Sequence, residues 1–249
     1  MRVKPSLSKN DNLDLILLTV KAYDTEVAAR TMGRMTDRKV PILTLQNGLG
    51  NVETLQRHVP SRVILAGTTV QSALTRAPGD IVHTGTGTTW IGELDHKITR
   101  RSLAIAEVFE RAGFKTEVSN NIEAIIWSKA IVNSAVNPIS ALAHVPNGEL
   151  IRRPQLNEAV NLVVAEGSAI AKSNGLHPRP NPKILLDKVL RSASKNRSSM
   201  LQDLEAGRET EIHQINGWIS RTARRLGVPS PFNDILARLI IGQKSSRTR

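Results

Sequence analysis

No cysteine occurs among the 249 residues, which excludes disulfide staples, thiol nucleophiles and thiolate metal sites. Nothing in the chain therefore calls for an oxidising compartment. Aromatic residues are only 3% of the total, too few for platforms that stack bases. No apolar run approaches the roughly 20 residues that a membrane-spanning helix requires. The start, MRVKPSLSKNDN, is basic and contains serine, but it lacks the apolar stretch of a secretory signal and is brief for a transit peptide. The six histidines show no recurring ligand spacing, so no metal site is expected. Acidic residues are the minority, 22 against 34 Lys and Arg, giving a net charge of +12 and a pI near 10.6. That balance suits nucleic-acid binding, and equally an enzyme that attracts phosphorylated cofactors and anionic acids. The basic residues are dispersed apart from the Arg197 neighbourhood, Arg221 to Arg225 and the tail GQKSSRTR. The expectation is a cytoplasmic protein with neither nucleic acid nor membrane as its partner.

What is present is enough apolar material, 40% of residues, for the core of one large or two modest domains. Leu13 to Val20 (LDLILLTV) is a short continuous apolar run, the pattern of a strand buried on both faces in a parallel sheet. An amphipathic helix over Asp24 to Met35 follows, then a strand over Val40 to Leu45, a helix over Asn51 to His58 and a strand over Val63 to Val70. Such alternation marks an open α/β sheet, whose ligands lie outside the carboxyl ends of the strands. Asp80 to Glu93 reads as antiparallel strands around a turn. A helix over Ile98 to Ala112 and a strand over Phe114 to Val118 close this part.

From Asn121 onward the pattern is helical, so a domain boundary is placed near Asn120. Pro154 starts a helix that Gly175 stops, and Ser199 with Gln202 resembles a capping box opening a long helix to Gly227. Between Asn121 and Leu142, Lys129, Asn133 and Asn137 recur at i, i+4 and i+8 on an otherwise apolar helix, so they share one stripe. They read as a solvated helix face or as a site. Asparagine is a poor residue for a merely solvated helix face, because its amide competes for backbone hydrogen bonds. Pro138 then removes a helical donor beside the stripe.

Taken together, VKAYDT, LQNGLGN, AGTTV, IWSKAIVNSAVNPISAL, PNGEL and SSMLQDLEAGRETEIHQING resemble the ketopantoate reductases, which reduce 2-dehydropantoate with NADPH. The resemblance implies a Rossmann-like α/β domain over residues 1–120 and an all-α substrate, catalytic and dimerisation domain over 121–249. It implies that Lys129 is the general acid and that Asn133, Asn137, Asn147 and Ser199 meet the substrate's carboxylate and hydroxyl. Lys21, Asn47, Ala73 and Glu211 match positions along the cofactor, Glu211 being placed also to orient Lys129. The implied partners are a small 2-keto acid, NADPH and a second copy of the chain in a homodimer.

Each position also has a structural account: a solvated strand end for Lys21, tight turns for Asn47-Gly48 and Asn147-Gly148, a helix cap for Ser199 and a surface ion pair for Glu211. The family's opening strand and Gly-x-Gly-x-x-Gly turn, which presents helix amides to the cofactor's pyrophosphate, have no counterpart here. The nearest stretch, Gly48 to Glu53, carries Glu53 in the third glycine's place and reads as a second ligand loop. Against the usual layout of the domain, the first β-α-β unit, on the order of fifty residues, is missing before Leu13, with MRVKP resembling an internal strand. A sheet without that unit exposes a strand edge, and the alternative reading is a cofactor-deficient pseudoenzyme acting only as a helical association module.

Overall fold

A computed structural model of the chain describes residues 13–35, 39–192 and 194–245. The strand expected at MRVKP and the end of the basic tail lie outside the described residues. Two compact units divide the chain: Met1–Gln46 with Gly50–Glu123, and Asn47–Leu49 with Ala124–Arg249.

The first unit is the α/β part. Its strands β1 (Ile16–Leu18), β2 (Ile42–Thr44) and β3 (Ile64–Thr69) are parallel, with Ile16 opposite Ile42 and Leu43 opposite Leu65. Helices α1 (Thr25–Met35) and α2 (Asn51–Gln56) make the two crossovers. A separate antiparallel hairpin follows, β4 (Ser72–Ala77) with β5 (Asp80–Gly85). Then β6 (Thr89–Glu93) returns antiparallel to β3, and helix α3 (Arg100–Arg111) leads to β7 (Thr116–Val118), parallel to β6. The sheet order is β1-β2-β3-β6-β7.

Side chains alternate across a pleated strand, so neighbouring residues feed opposite cores. Ile42 and Ile64 pack with Ala29, Met32 and Leu55 from α1 and α2, whereas Leu43, Leu65 and Ile91 pack with Ile105 and Ala106 from α3. Glu93, buried at the end of β6, accepts from Arg101 Nε at 2.8 Å and from the Thr99 hydroxyl, which ties the start of α3 to the sheet. Thr99 and Ser102 close a reciprocal capping box there.

Two expectations for this unit need correction. The strand at Leu13 to Val20 is only three residues long and is not buried on both faces, since Leu17 is 45% exposed. Among the described strands β1 lies at the sheet edge, where its face has less to cover it. The antiparallel turn lies before Asp80, at Pro78-Gly79 between β4 and β5, where Gly79 has φ 80°; β6 belongs to the main sheet.

The second unit is all helical among its described elements: α4 (Ile122–Ala143), α5 (Glu149–Arg152), α6 (Pro154–Ser173), α7 (Pro182–Ser192), α8 (Ser199–Glu205), α9 (Asn216–Leu226) and α10 (Pro231–Ser245). Trp127, Ile131, Ala135 and Ile139 of α4 pack with Val160, Val163 and Ile170 of α6, with Leu186 and Leu190 of α7, and with Ile219 of α9. Gly167 permits this closeness, because a Cβ there would stand 3.2 Å from Ile131. A long apolar helix thus becomes the axis of the unit, and few of its positions are left for water. No described helix is long and apolar enough to cross a membrane.

The long helix expected from Ser199 to Gly227 is not formed. Its cap is Ser198, whose hydroxyl accepts from Leu201 N at 3.2 Å, and Ser199 is an exposed first helical residue. Helix α8 stops at Glu205 because Gly207 turns left-handed at φ 65° and Arg208 N returns to Asp203 O at 2.8 Å. Residues 208–215 are irregular, and α9 begins at Asn216.

Candidate active site

Lys129 lies on α4 among the buried residues Trp127, Ser128, Ala130 and Ile131. Its ammonium donates to Asn47 Oδ1 at 2.9 Å, and Asn47 Nδ2 donates to Glu211 Oε2 at 3.3 Å. One amide therefore bridges a cation and a carboxylate. The two contacts also set its orientation, since a flipped amide would aim its NH2 at the ammonium. Glu211 is only 5% exposed, and a carboxylate buried to that degree needs such partners. Burial pushes the Lys129 pKa down to about 8, and the charge of Glu211 works against that push. Lys129 as a residue is only partly buried, so solvent reaches some of its side chain.

The residues around Asn47 are held by backbone geometry. Leu49 N donates to Gln214 O at 2.7 Å, and Gly48, at φ 82°, lies flush against the same carbonyl. A Cβ on Gly48 would stand 2.7 Å from Gln214 O and 2.9 Å from Gln214 Cβ. Gln214 N and Ile215 N both donate to Glu211 O, at 3.1 and 3.0 Å, so the turn that seats Gly48 also presents Glu211. Gly48→Ala should displace Asn47 from Lys129 and lower kcat by about 10²-fold, the usual cost of misplacing a site by about an ångström. Gly79→Ala is the control, having the same sign of φ but nothing within 4 Å of the added carbon. Steady-state kinetics should show the loss in the first variant only.

Further along α4, Asn133 is half-buried and Asn137 is buried just before Pro138. Asn147 is buried in the turn before α5, where its N–H donates to Asn196 O at 2.9 Å and Gly148 N donates to Ser194 O at 2.8 Å. The side-chain oxygen of Asn147 is buried with no hydrogen-bond partner among the described residues. A buried acceptor in that state costs about 1–3 kcal/mol, so it is suited to the hydroxyl donor of a ligand. Ser198 connects this region to α4 through a 2.6 Å hydrogen bond between its hydroxyl and that of Ser140.

Lys21 and Ala73 belong to the α/β unit. Lys21 follows β1 and opens a 3₁₀ turn over Ala22–Asp24, its carbonyl accepting from Asp24 N at 2.8 Å. The buried Gln46 side chain holds that turn, donating to Val20 O at 2.9 Å and to Thr25 Oγ1 at 2.8 Å while accepting from Thr44 Oγ1 at 3.0 Å. A lysine on a fixed turn at the carboxyl end of a parallel strand fits an anionic nucleotide. Ala73 is exposed on β4, opposite His83 of β5.

Gln46, Ser198 and the Gln214 carbonyl take part here without having been singled out by motif or spacing. Only Gln46 gave a local sign, as an amide directly after an apolar strand.

Residues 121–244 match the domain described as "Ketopantoate reductase PanE/ApbA C terminal", and residues 2–96 match "Ketopantoate reductase PanE/ApbA". The 2-dehydropantoate 2-reductase of Archaeoglobus fulgidus is 38% identical over 238 residues, 96% of this chain and 79% of that protein. The chain belongs to the ketopantoate reductase family. Solved structures agree with this ketopantoate reductase assignment in fold. A PanE/ApbA family ketopantoate reductase from Ralstonia eutropha JMP134 superposes with a TM-score of 0.85 at 29% identity, over 95% of this chain and 77% of that one. D-mandelate dehydrogenase, solved with NADH and anilino(oxo)acetate, gives 0.89 at 26% identity over 95% and 78%.

Proposed function

We propose that this ketopantoate reductase family member reduces 2-dehydropantoate to pantoate with NADPH, a step toward pantothenate and coenzyme A, using Lys129 as general acid. The observation that carries the reading is the 2.9 Å contact of the Lys129 ammonium with Asn47, with Glu211 on the other end of the same amide. NADPH, when bound, supplies the hydride. As the carbonyl carbon accepts it, negative charge develops on the carbonyl oxygen, and an ammonium placed there both stabilises that charge and gives up its proton. Lys129 ends the step as a neutral amine, which its pKa of about 8 makes accessible near neutrality, and regains a proton from solvent.

Asn47 holds the amine in place between turnovers, and Glu211 moderates the cost of its buried charge. The amides of Asn133 and Asn137 are suited to the substrate carboxylate. The unpartnered oxygen of Asn147 is suited to the substrate hydroxyl, with Ser199 at the start of α8 as a second polar contact. Lys21, Asn47, Ala73 and Glu211 are assigned to the cofactor side. The relatives named above are reductases or dehydrogenases by name, which favours an enzyme over an association module.

Its place in this account is the cytoplasm. Its assembly is a homodimer through the helical part, a reading supported by Phe232, Ile235 and Leu239, which form an exposed apolar stripe along α10. The test is NADPH oxidation followed at fixed enzyme with and without ketopantoate, with the product identified by mass. Oxidation that depends on ketopantoate and yields pantoate supports the reading. Oxidation equal in both, or none, contradicts it.

A further inference from the structure

We propose that Asn216 is a positioning residue for substrate binding, supplying to α4 the N–H that Pro138 takes away and so fixing the part of the helix that carries Asn133 and Asn137. The proposal rests on the reading above, in which those two asparagines meet the substrate.

In an unbroken α-helix the N–H of residue 138 would donate to the carbonyl of residue 134, four positions earlier. Proline has no N–H, so the Ser134 carbonyl loses its partner inside a helix packed on most sides. Asn216 Nδ2 donates to that carbonyl at 2.8 Å, and both Asn216 and Ser134 are fully buried. Ser134 lies between Asn133 and Asn137 in the chain, so the repaired bond falls in the turn of α4 that separates them.

The orientation of the Asn216 amide is dictated from outside α4. Glu166 of α6 accepts from Phe232 N at 2.9 Å and from Asn233 N at 2.8 Å, and thereby caps α10. The same carboxylate accepts from Asn233 Nδ2 at 2.7 Å. With its NH2 turned to Glu166, Asn233 must present Oδ1 on its other side, where the second N–H of Asn216 donates at 3.0 Å. Asn216 then has its NH2 group at Asn233 and at Ser134 and cannot flip without setting oxygen against oxygen at both. A polarised chain runs from the carboxylate on α6, through two buried amides on α10 and α9, to the proline-exposed carbonyl of α4. A merely space-filling residue at 216 would leave that carbonyl unpaired.

The experiment is a double-substitution cycle of Asn216→Ala and Pro138→Ala, read by kinetics and by thermal unfolding. P138A gives residue 138 its own N–H and makes the donation from Asn216 dispensable to α4. The expected result is that N216A raises KM for ketopantoate about tenfold, with kcat and KM for NADPH within about twofold of wild type. In the P138A background the same substitution should raise KM by no more than about twofold. An equal rise in both backgrounds, a parallel loss in all three constants, or no rise at all overturns the proposal.

If N216A does not fold, Asn216→Leu, which keeps the volume without the donor, is read in the same way. If neither folds, the P138A/N216A double variant decides. A folded protein with near wild-type KM supports the proposal, and failure to fold overturns it. The thermal cycle needs no turnover, so coupling between positions 138 and 216 is scored even if the chain does not reduce ketopantoate, a result that would contradict the reductase reading separately.

Discussion

Lys129→Ala is expected to lower kcat for ketopantoate reduction by about 10²–10⁴-fold, the usual contribution of a positioned general acid. The ammonium donates to Asn47 at 2.9 Å, and alanine removes that proton donor from the site. KM for NADPH should change far less, because Lys129 acts on the carbonyl oxygen and not on the cofactor's phosphates. Lys129→Arg should be nearly as inactive as the alanine variant, since a guanidinium holds its proton throughout the working range. The pH dependence carries the sign. With Lys129 pushed down to about 8, the acid is loaded below pH 8 and empties above it, so log kcat/KM should fall with unit slope on the alkaline side of about pH 8. An ordinary lysine would hold the plateau to about pH 10.4.

The same shift enters stability. Above about 10.5 Lys129 is neutral in both states, and as pH falls from there to about 8 the unfolded chain takes up a proton that the folded site does not, so stability is lost across that window. Stability from this group therefore rises with pH between about 8 and 10.5. The lysine is retained at a cost to folding near neutrality, a sign that its position serves chemistry.

Glu211→Gln should produce the second largest effect and move the pH profile in a stated direction. Burial lowers the Lys129 pKa and the charge of Glu211 raises it, so neutralising Glu211 leaves burial unopposed. The alkaline limb of the wild-type profile should shift to lower pH, with kcat reduced about tenfold or more at pH 8 and less at pH 6. Glutamine can still accept from Asn47 Nδ2, which keeps the bridge and separates the loss of charge from the loss of geometry. Glu211→Ala removes both, and should show the same pH shift together with a larger drop at every pH.

Much of the fold was legible because it depends on local pattern. The β-α-β rhythm from Leu13 to Val70 follows from short apolar runs separated by amphipathic segments, and helices α4 and α6 follow from continuous apolar periodicity and from Pro154 and Gly175. What failed was set by tertiary contact. Helix α8 ends at Glu205 because of Gly207, a stop present in the sequence but outweighed there by the helical pattern on both sides. Residues 208–215 are kept irregular by the bonds that Glu211 and Gln214 make within their turn and to Leu49. The stripe of Lys129, Asn133 and Asn137 was visible because its spacing is local. The pairing of Lys129 with Glu211 came only from the family resemblance, and Asn47 as the link between them was not visible, because the members of the bridge lie 82 and 164 residues apart. The amide of Asn216, 82 residues from the carbonyl it satisfies, was hidden for the same reason.

A partly buried amine, held by one amide and one carboxylate, is tuned to exchange a proton near neutral pH. Titration of the lysine side-chain signals by NMR in the intact protein, with Lys129 assigned by its disappearance in Lys129→Ala, measures that directly. The expected midpoint for Lys129 is near 8, moving lower in Glu211→Gln. A midpoint at the ordinary lysine value of about 10.4, unmoved by Glu211→Gln, would contradict it.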